Sequence, residues 1–154
     1  MKKSISKLAI FALVLWVLTV GVIGTLFIKG WTTPSTDNRK AVRLSPSERD
    51  IVLGEMRLLL KAVNGVFRGL GQNDQTFIVK AIEPVGIAMA ADINPMLMGK
   101  LPMEFKQLGM SVHKDFDDLN ADIKKGIGNE IIIKRMGDIT SKCIACHEAY
   151  QLSL

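Results

Sequence analysis

The chain has 154 residues, 48% of them hydrophobic, and a formal net charge of +5. Four of its 20 basic residues flank an apolar N-terminal segment, which leaves sixteen basic and fifteen acidic residues, a net charge of +1. A net charge so close to zero does not indicate a basic surface for binding nucleic acid. The length beyond the apolar segment suits one domain of about 110 residues.

The N-terminus carries an uncharged apolar run from Leu8 to Ile28. These 21 residues would measure about 31 Å as a helix, which matches the hydrocarbon core of a bilayer. Lys29 and Trp31 follow as residues typical of the membrane interface, and no Ala-x-Ala cleavage site ends the run. We therefore predict an uncleaved transmembrane signal anchor over residues 1–29, with a cleaved signal peptide as the alternative.

Residues 30–44 are polar and are predicted to form a linker between the membrane and a domain that spans 45–154. The domain opens with a helix start, because Ser45 suits an N-cap, Pro46 the first helical position and Glu48 the third position of a capping box. Apolar side chains then recur at intervals of four and three, at Val52, Met56, Leu59, Val63, Val66 and Leu70. Gly69 and Gly71 are predicted to end this helix.

Three further helices are predicted. The second covers residues 74–92 with a kink at Pro84, an irregular connection follows over 93–100, and the third begins at Pro102. Asn129 is predicted to cap the fourth, whose inward stripe is Ile132, Met136, Ile139, Cys143, Cys146 and Tyr150. No useful stretch alternates with period two, so we predict an all-α, antiparallel four-helix bundle.

The residues Cys143-Ile144-Ala145-Cys146-His147 form C-x-x-C-H, the attachment motif of a c-type haem. In this chemistry both thiols form thioethers with the haem, and the histidine is the proximal iron ligand. A zinc site needs four ligands, and His113 is the only other Cys or His in the chain. A redox dithiol would follow a strand in a βαβ pattern, which is not predicted here. We therefore expect one covalent haem c.

A four-helix bundle with one C-x-x-C-H near its end resembles the class II cytochromes c, the cytochrome c-prime group. The resemblance covers roughly residues 45–154. The chain differs from the family in its membrane anchor. It also lacks the basic residue that often follows the histidine by a few positions, since Glu148 to Gln151 contain none.

The resemblance implies that the residue on the distal side of the iron comes from the first helix of the bundle. A methionine there gives a low-spin iron suited to electron transfer, whereas an apolar residue leaves a pocket for small gases. Met56 is the candidate distal ligand, because it lies about 15 Å along the helix that begins where the last helix ends. Leu53 could instead cover the iron, and His113 is a second, less favoured ligand candidate.

Three hypotheses for function follow. The first is a membrane-tethered electron carrier that serves redox partner proteins or a membrane oxidoreductase complex. The second is a five-coordinate haem protein that binds nitric oxide or carbon monoxide, and the third is a haem subunit of a larger complex. No acid–base constellation suggests an enzyme. Haem c attachment takes place outside the cytoplasmic membrane in bacteria, so the domain is expected on the periplasmic side.

Overall fold

The computed structural model describes residues 6–91 and 93–154, and most of these residues are helical. The helices in chain order are α1 (Lys7–Lys29), α2 (Pro46–Gln72), α3 (Gln75–Ile82), α4 (Ile87–Ala91), α5 (Pro95–Lys100), α6 (Met103–Lys124) and α7 (Asn129–Ala149). A 3₁₀ turn, Glu83–Val85, lies between α3 and α4. Three short strands are present, β1 (Thr32–Pro34), β2 (Lys40–Arg43) and β3 (Tyr150–Ser153). The helical class therefore agrees with the sequence prediction, whereas the strands depart from it.

Helix α1 is the apolar N-terminal helix that the sequence predicts. It has 23 residues, and none of them is buried against the rest of the chain. The hydroxyl of Ser6 caps its start by accepting a hydrogen bond from the N–H of Ala9 at 3.1 Å. The helix is long and apolar enough to cross a membrane.

Helix α2 begins at the predicted capping box and runs further than predicted. The carboxylate of Glu48 accepts a hydrogen bond from the N–H of Ser45 at 2.8 Å, and the Ser45 hydroxyl accepts one from the N–H of Glu48 at 3.4 Å. The helix ends at Asn73, which adopts the left-handed conformation with φ of 52°. Gly69 does not end the helix; it allows close packing against Ile78 of α3.

The second predicted helix is broken rather than kinked. Pro84 and Gly86 separate α3 from α4, and the Asp117 carboxylate accepts a hydrogen bond from the N–H of Ile87 at 2.8 Å where α4 begins. The connection predicted to be irregular contains α5. Its start is capped by Asn94, whose side chain accepts a hydrogen bond from the N–H of Met96 at 2.8 Å.

Residues 30–44 are not a free tether. Strand β1 pairs with β2 in antiparallel fashion, and β2 pairs with β3 in parallel, so the C-terminal residues supply one edge of a three-stranded sheet. Val42 and Leu44 are buried in the domain. The pairing of β2 with β3 escapes sequence reasoning because β3 lies more than one hundred residues further along the chain.

The interior consists of two apolar clusters. The first joins α2, α3, α6 and α7 and includes Ala62, Val66, Ile78, Ile82, Val112, Phe116, Leu119, Ile132, Met136 and Ile139. The second lies where α2 and α6 begin and α7 ends, and it comprises Val42, Leu44, Val52, Leu97, Leu101, Phe105 and Tyr150. Met56 and Cys146 pack against this second cluster, which therefore underlies the candidate site.

An ion pair between Glu48 and Lys100 fastens the start of α2 to α5. The ammonium lies 2.7 Å and 2.8 Å from the two carboxylate oxygens. Hydrogen bonds from Lys100 and Ser45 lower the pKa of Glu48 from 4.5 to about 2. Because the folded pKa is depressed, the stabilisation is present above pH 4.5 and is lost as the pH falls toward 2.

Substitution Glu48→Gln tests this ion pair. We expect the variant to melt below the wild type at pH 6, by on the order of a few degrees, because glutamine keeps the capping geometry but loses the charge. The difference should shrink at pH 3, where the wild-type carboxylate begins to protonate. Thermal melts by circular dichroism measure this, with Glu130→Gln on the exposed start of α7 as control. An equal difference at both pH values would contradict the prediction.

Candidate functional site

The C-x-x-C-H motif lies in the last two turns of α7. Both thiols are half-buried and free, and the Cys143 thiol is 3.6 Å from the carbonyl oxygen of Ile139 one turn earlier. His147 is exposed. Of the residues predicted to face inward on this helix, Ile139 is therefore buried, whereas Cys143 and Cys146 in the motif are only partly buried.

Burial governs the protonation of the two thiols. It raises the pKa of Cys143, and it raises the pKa of Cys146 with a further contribution from the neighbouring Cys143. In the protein without attached haem, both cysteines are consequently neutral thiols at pH 7.

A cavity of about 200 Å³ opens beside the motif. It brings Cys146 and His147 at the end of α7 together with Leu53 and Met56 on α2. The rest of the wall is Arg39, Arg49, Phe105, Tyr150, Gln151 and Leu152. The sequence analysis predicted that Met56 and His147 lie close together, from the helix rise and the antiparallel order expected of the bundle. The cavity does bring them together, and Leu53 lines it too.

One wall of the cavity is an aromatic pair. The rings of Phe105 and Tyr150 meet edge to face, with centroids 5.5 Å apart and an interplanar angle of 81°. The Tyr150 hydroxyl donates a hydrogen bond to the Glu104 carboxylate at 2.8 Å. Burial and this carboxylate raise the pKa of Tyr150 to about 12, so the phenol stays neutral. The wall is therefore apolar toward the cavity and anchored by its polar end.

Arg39 is a cavity residue that sequence reasoning missed. Its guanidinium donates to the carbonyl of His147 at 3.3 Å and to the Gln151 side chain at 3.0 Å, while Asp37 accepts from its Nε at 2.7 Å. The arginine thus places a positive charge against the C-terminal end of the attachment motif. No local signal points to it, because Arg39 belongs to a segment that reads as a linker.

His113 is not brought into the cavity. Its ring is only 3% exposed, and Nδ1 lies 2.8 Å from the carbonyl oxygen of Val85 in the 3₁₀ turn. Glu55 of α2 is a neighbour; burial raises the pKa of its carboxyl, and His113 opposes that shift. A histidine bonded in this way satisfies a buried carbonyl and ties α6 to the 3₁₀ turn.

A second cavity of about 470 Å³ adjoins the other side of Tyr150. Its lining residues are Glu104, Gln107, Leu108, Ser111, Ala149 and Tyr150. None of the candidate haem-attachment or iron-ligand residues lines this second cavity. The first cavity is therefore the one that unites the motif with a candidate partner on α2.

The residues of the first cavity fit a covalently bound haem. Cys146 and His147 of the motif line the cavity, and Cys143 lies one turn earlier on α7. Met56 and Phe105 supply apolar surface, and the guanidinium groups of Arg39 and Arg49 suit the two carboxylates of a haem. The cavity is smaller than the roughly 300–1,000 Å³ of most ligand pockets, so a porphyrin requires it to widen toward its open, solvent side.

Substitution Arg39→Met tests whether this arginine holds the motif against the sheet. We expect a loss of about 1–2 kcal/mol in the free energy of unfolding, because the carbonyl of His147 and the side chain of Gln151 lose their donor. Urea unfolding measures it. Lys40→Met is the matched control, since Lys40 is exposed and makes only weak contacts, a 3.5 Å pair with Glu104 and a 5.5 Å approach to the centroid of the Tyr150 ring. Equal urea midpoints for the two variants would contradict the assignment.

Comparison with known proteins adds no relative. No family model matches the chain, and neither curated proteins nor solved structures give a significant match. Within residues 6–91 and 93–154, no three His, Cys, Asp or Glu side chains are grouped as they would be around a metal ion.

Proposed function

We propose that this chain is a membrane-anchored monohaem c-type cytochrome that transfers electrons on the outer, periplasmic side of the cytoplasmic membrane. The observation that carries the proposal is the cavity in which Cys146 and His147 of the attachment motif meet Met56. A bound haem c would supply a one-electron iron couple. The chain's own residues would hold that group, complete its coordination and limit its access to water.

Each residue of the proposed site has a distinct task. Cys143 and Cys146 would form the two thioethers, and His147 would be the proximal ligand of the iron. Met56 would be the distal ligand, since it lines the same cavity from α2. Its thioether favours the reduced state and so raises the reduction potential.

The proposed architecture is an antiparallel four-helix bundle of the class II cytochrome kind. Helix α2, the broken α3–α4 unit, α6 and α7 would be its four members. The shared apolar core and the meeting of the starts of α2 and α6 with the end of α7 support this assignment. In such a bundle the end of the last helix and the first half of the first helix line one site.

The proposed location rests on α1 and on the motif together. Helix α1 has the length and apolar composition of a membrane anchor. Haem c is attached outside the cytoplasmic membrane in bacteria, which favours a domain on that side. The partners would be redox proteins or a membrane oxidoreductase complex.

A second candidate function is the binding of small gases such as nitric oxide and carbon monoxide. Leu53 favours it, because this apolar side chain lines the same cavity one turn before Met56. Leu53 over the distal face would leave the iron five-coordinate and open to a gas.

Spectroscopy of the purified full-length protein tests the proposal. Haem staining that survives a denaturing gel would support covalent attachment, and a low-spin spectrum that carbon monoxide leaves unchanged would support electron transfer with Met56 bound. A high-spin spectrum that shifts on addition of carbon monoxide would contradict the electron-transfer proposal and support gas binding. A protein matured with the haem c attachment machinery that carries no haem would refute both functions.

Membership of a larger complex has its own test. We expect gentle detergent extraction to give a particle heavier than one chain if the protein is a subunit of a membrane oxidoreductase. A lone chain in the same detergent would leave the carrier function intact and exclude the stable complex.

A further inference from the structure

The end of α1 is fastened directly to the junction between α5 and α6. The N–H of Trp31 donates to the carbonyl of Lys100 at 2.7 Å, and the carbonyl of Trp31 accepts from the N–H of Arg43 at 2.8 Å. Trp31 follows the apolar helix closely, and both its N–H and its carbonyl are therefore hydrogen-bonded to the backbone of the domain. A tether that lets the domain swing freely would not make these bonds.

Gly30 makes the approach of the two backbones possible. Its φ is +65°, and a Cβ at this position would lie 2.5 Å from the nitrogen of Pro102 and 2.6 Å from the carbonyl oxygen of Lys100. The left-handed conformation and the missing side chain are both required, so only glycine suits the position.

Lys106 forms the second half of the attachment. It is only 8% exposed, and its ammonium donates to the carbonyl of Phe27 at 3.2 Å and lies 3.6 Å from the centroid of the Phe27 ring. That carbonyl belongs to the last turn of α1, where carbonyls lack helical partners and a cation is favourable. No carboxylate pairs with Lys106 in the part of the chain that the structure describes. Burial lowers its pKa.

We propose that this attachment turns α5 and the start of α6 into a lipid-contacting surface, which rests on the headgroup layer of the bilayer that α1 crosses. The ammonium of Lys106 is level with Phe27, the last turn of the apolar run, and so lies at the boundary between hydrocarbon and headgroups. Trp31 is 55% exposed there, as suits an interfacial residue. Met96 on α5 is 75% exposed and offers an apolar side chain to the interface.

Lipid is the occupant that the surroundings favour. The surface is continuous with a helix whose whole length is exposed and apolar, and Lys29 adds a positive charge suited to lipid phosphate. The attachment residues also adjoin the candidate site, since Phe105 lines the cavity and precedes Lys106 in α6. The cavity therefore lies at the end of the domain that is attached to α1. This inference depends on α1 crossing a bilayer and not on haem.

Depth-dependent quenching of tryptophan fluorescence tests the surface. Both native tryptophans are first replaced in the full-length protein, as Trp16→Phe and Trp31→Phe. A single tryptophan is then introduced as a reporter, either on α5 by Met96→Trp or at the far end of α2 by Gln72→Trp. The 27 residues of α2 place Gln72 about 40 Å from the end tied to α5. The protein is reconstituted in phosphatidylcholine–phosphatidylglycerol vesicles with bromines high on the acyl chains.

We expect the Met96→Trp reporter to be quenched several-fold more strongly than the Gln72→Trp reporter, with its emission shifted to the blue. Equal, weak quenching of both reporters would overturn the proposal and leave α5 as a surface for a protein partner. Because both positions are exposed, neither reporter threatens the fold.

Two variants test the attachment itself. Lys106→Met keeps the apolar stem but loses the donor to Phe27, and it should lower the quenching of the α5 reporter toward that of the α2 reporter. Lys106→Arg should restore it. Unchanged quenching in Lys106→Met, with an unchanged far-ultraviolet circular dichroism spectrum, would show that Lys106 does not orient the domain and would overturn that part of the inference.

Discussion

Replacement of Met56 by alanine is expected to convert the iron from low spin to high spin. Met56 is half-buried on α2 and lines the cavity together with His147, so in the proposed cytochrome it would complete the coordination of the iron opposite His147. Alanine has no sulfur and leaves space where the thioether was. In the oxidised variant the weak absorption band of the Met–iron bond should be lost. The reduced variant should bind carbon monoxide, and its reduction potential should be lower than that of the wild type.

Leu53→Ala is the matched control for Met56→Ala. Leu53 lines the same cavity and lies one turn earlier on the same helix, so its replacement enlarges the cavity without removing a ligand. We expect Leu53→Ala to remain low spin. If Leu53→Ala and Met56→Ala gave the same high-spin spectrum, the cavity volume rather than the sulfur would control the iron, and the assignment of Met56 would be wrong.

His113→Ala separates the two candidate ligands. The ring of His113 is bonded to the carbonyl of Val85 and is not part of the cavity wall, so we expect its removal to leave the spectrum unchanged. We expect the free energy of unfolding to fall by about 1–3 kcal/mol, because the buried carbonyl of Val85 loses its hydrogen-bond partner. A spectrum that changes in His113→Ala but not in Met56→Ala would reverse the ligand assignment.

The helices of this chain are largely readable from the sequence because their signals are local. The capping box of Ser45 and Glu48 is made within three residues, and the spacing of apolar residues repeats within each helix. The break after α3 was only half predicted. Pro84 indicates a kink, but the separation of α4 also depends on the carboxylate of Asp117, thirty residues further on.

The pairing of β2 with β3 was unreadable from the sequence because it is not local. Strand β2 is four residues long and pairs with the last residues of the chain, and a window along the sequence cannot show such a partner. The same pairing places Arg39 beside His147. The part of the candidate site that the sequence missed is therefore the part that depends on the sheet.

The part of the site that the sequence predicted depends on the length of helices. Met56 and His147 lie ninety-one residues apart in sequence, yet helix rise and an antiparallel order suffice to place them at one level. The rise of a helix gives the height of His113 along α6 but not the direction in which its side chain points. That direction follows from its hydrogen bond to Val85, which the sequence does not reveal.

Replacement of both Cys143 and Cys146 by serine is expected to abolish covalent haem. Serine keeps the size and helix propensity of the positions but cannot form a thioether, so no haem stain should remain on a denaturing gel. The intact mass should fall by one haem relative to the wild type, apart from the two oxygen-for-sulfur exchanges. Ser141→Ala, on the same helix and exposed, should keep the full stain.

The thiols of the wild type decide between a haem site and a redox dithiol. Both cysteines are free in the chain and only half-buried, so in unfolded protein without haem both must react with a maleimide. Thioether formation consumes both sulfurs, and we expect no labelling of the unfolded wild type after treatment with a reductant. Labelling of two thiols in protein matured by the haem c attachment machinery would identify a reducible pair instead, and the cavity around His147 would then need another explanation.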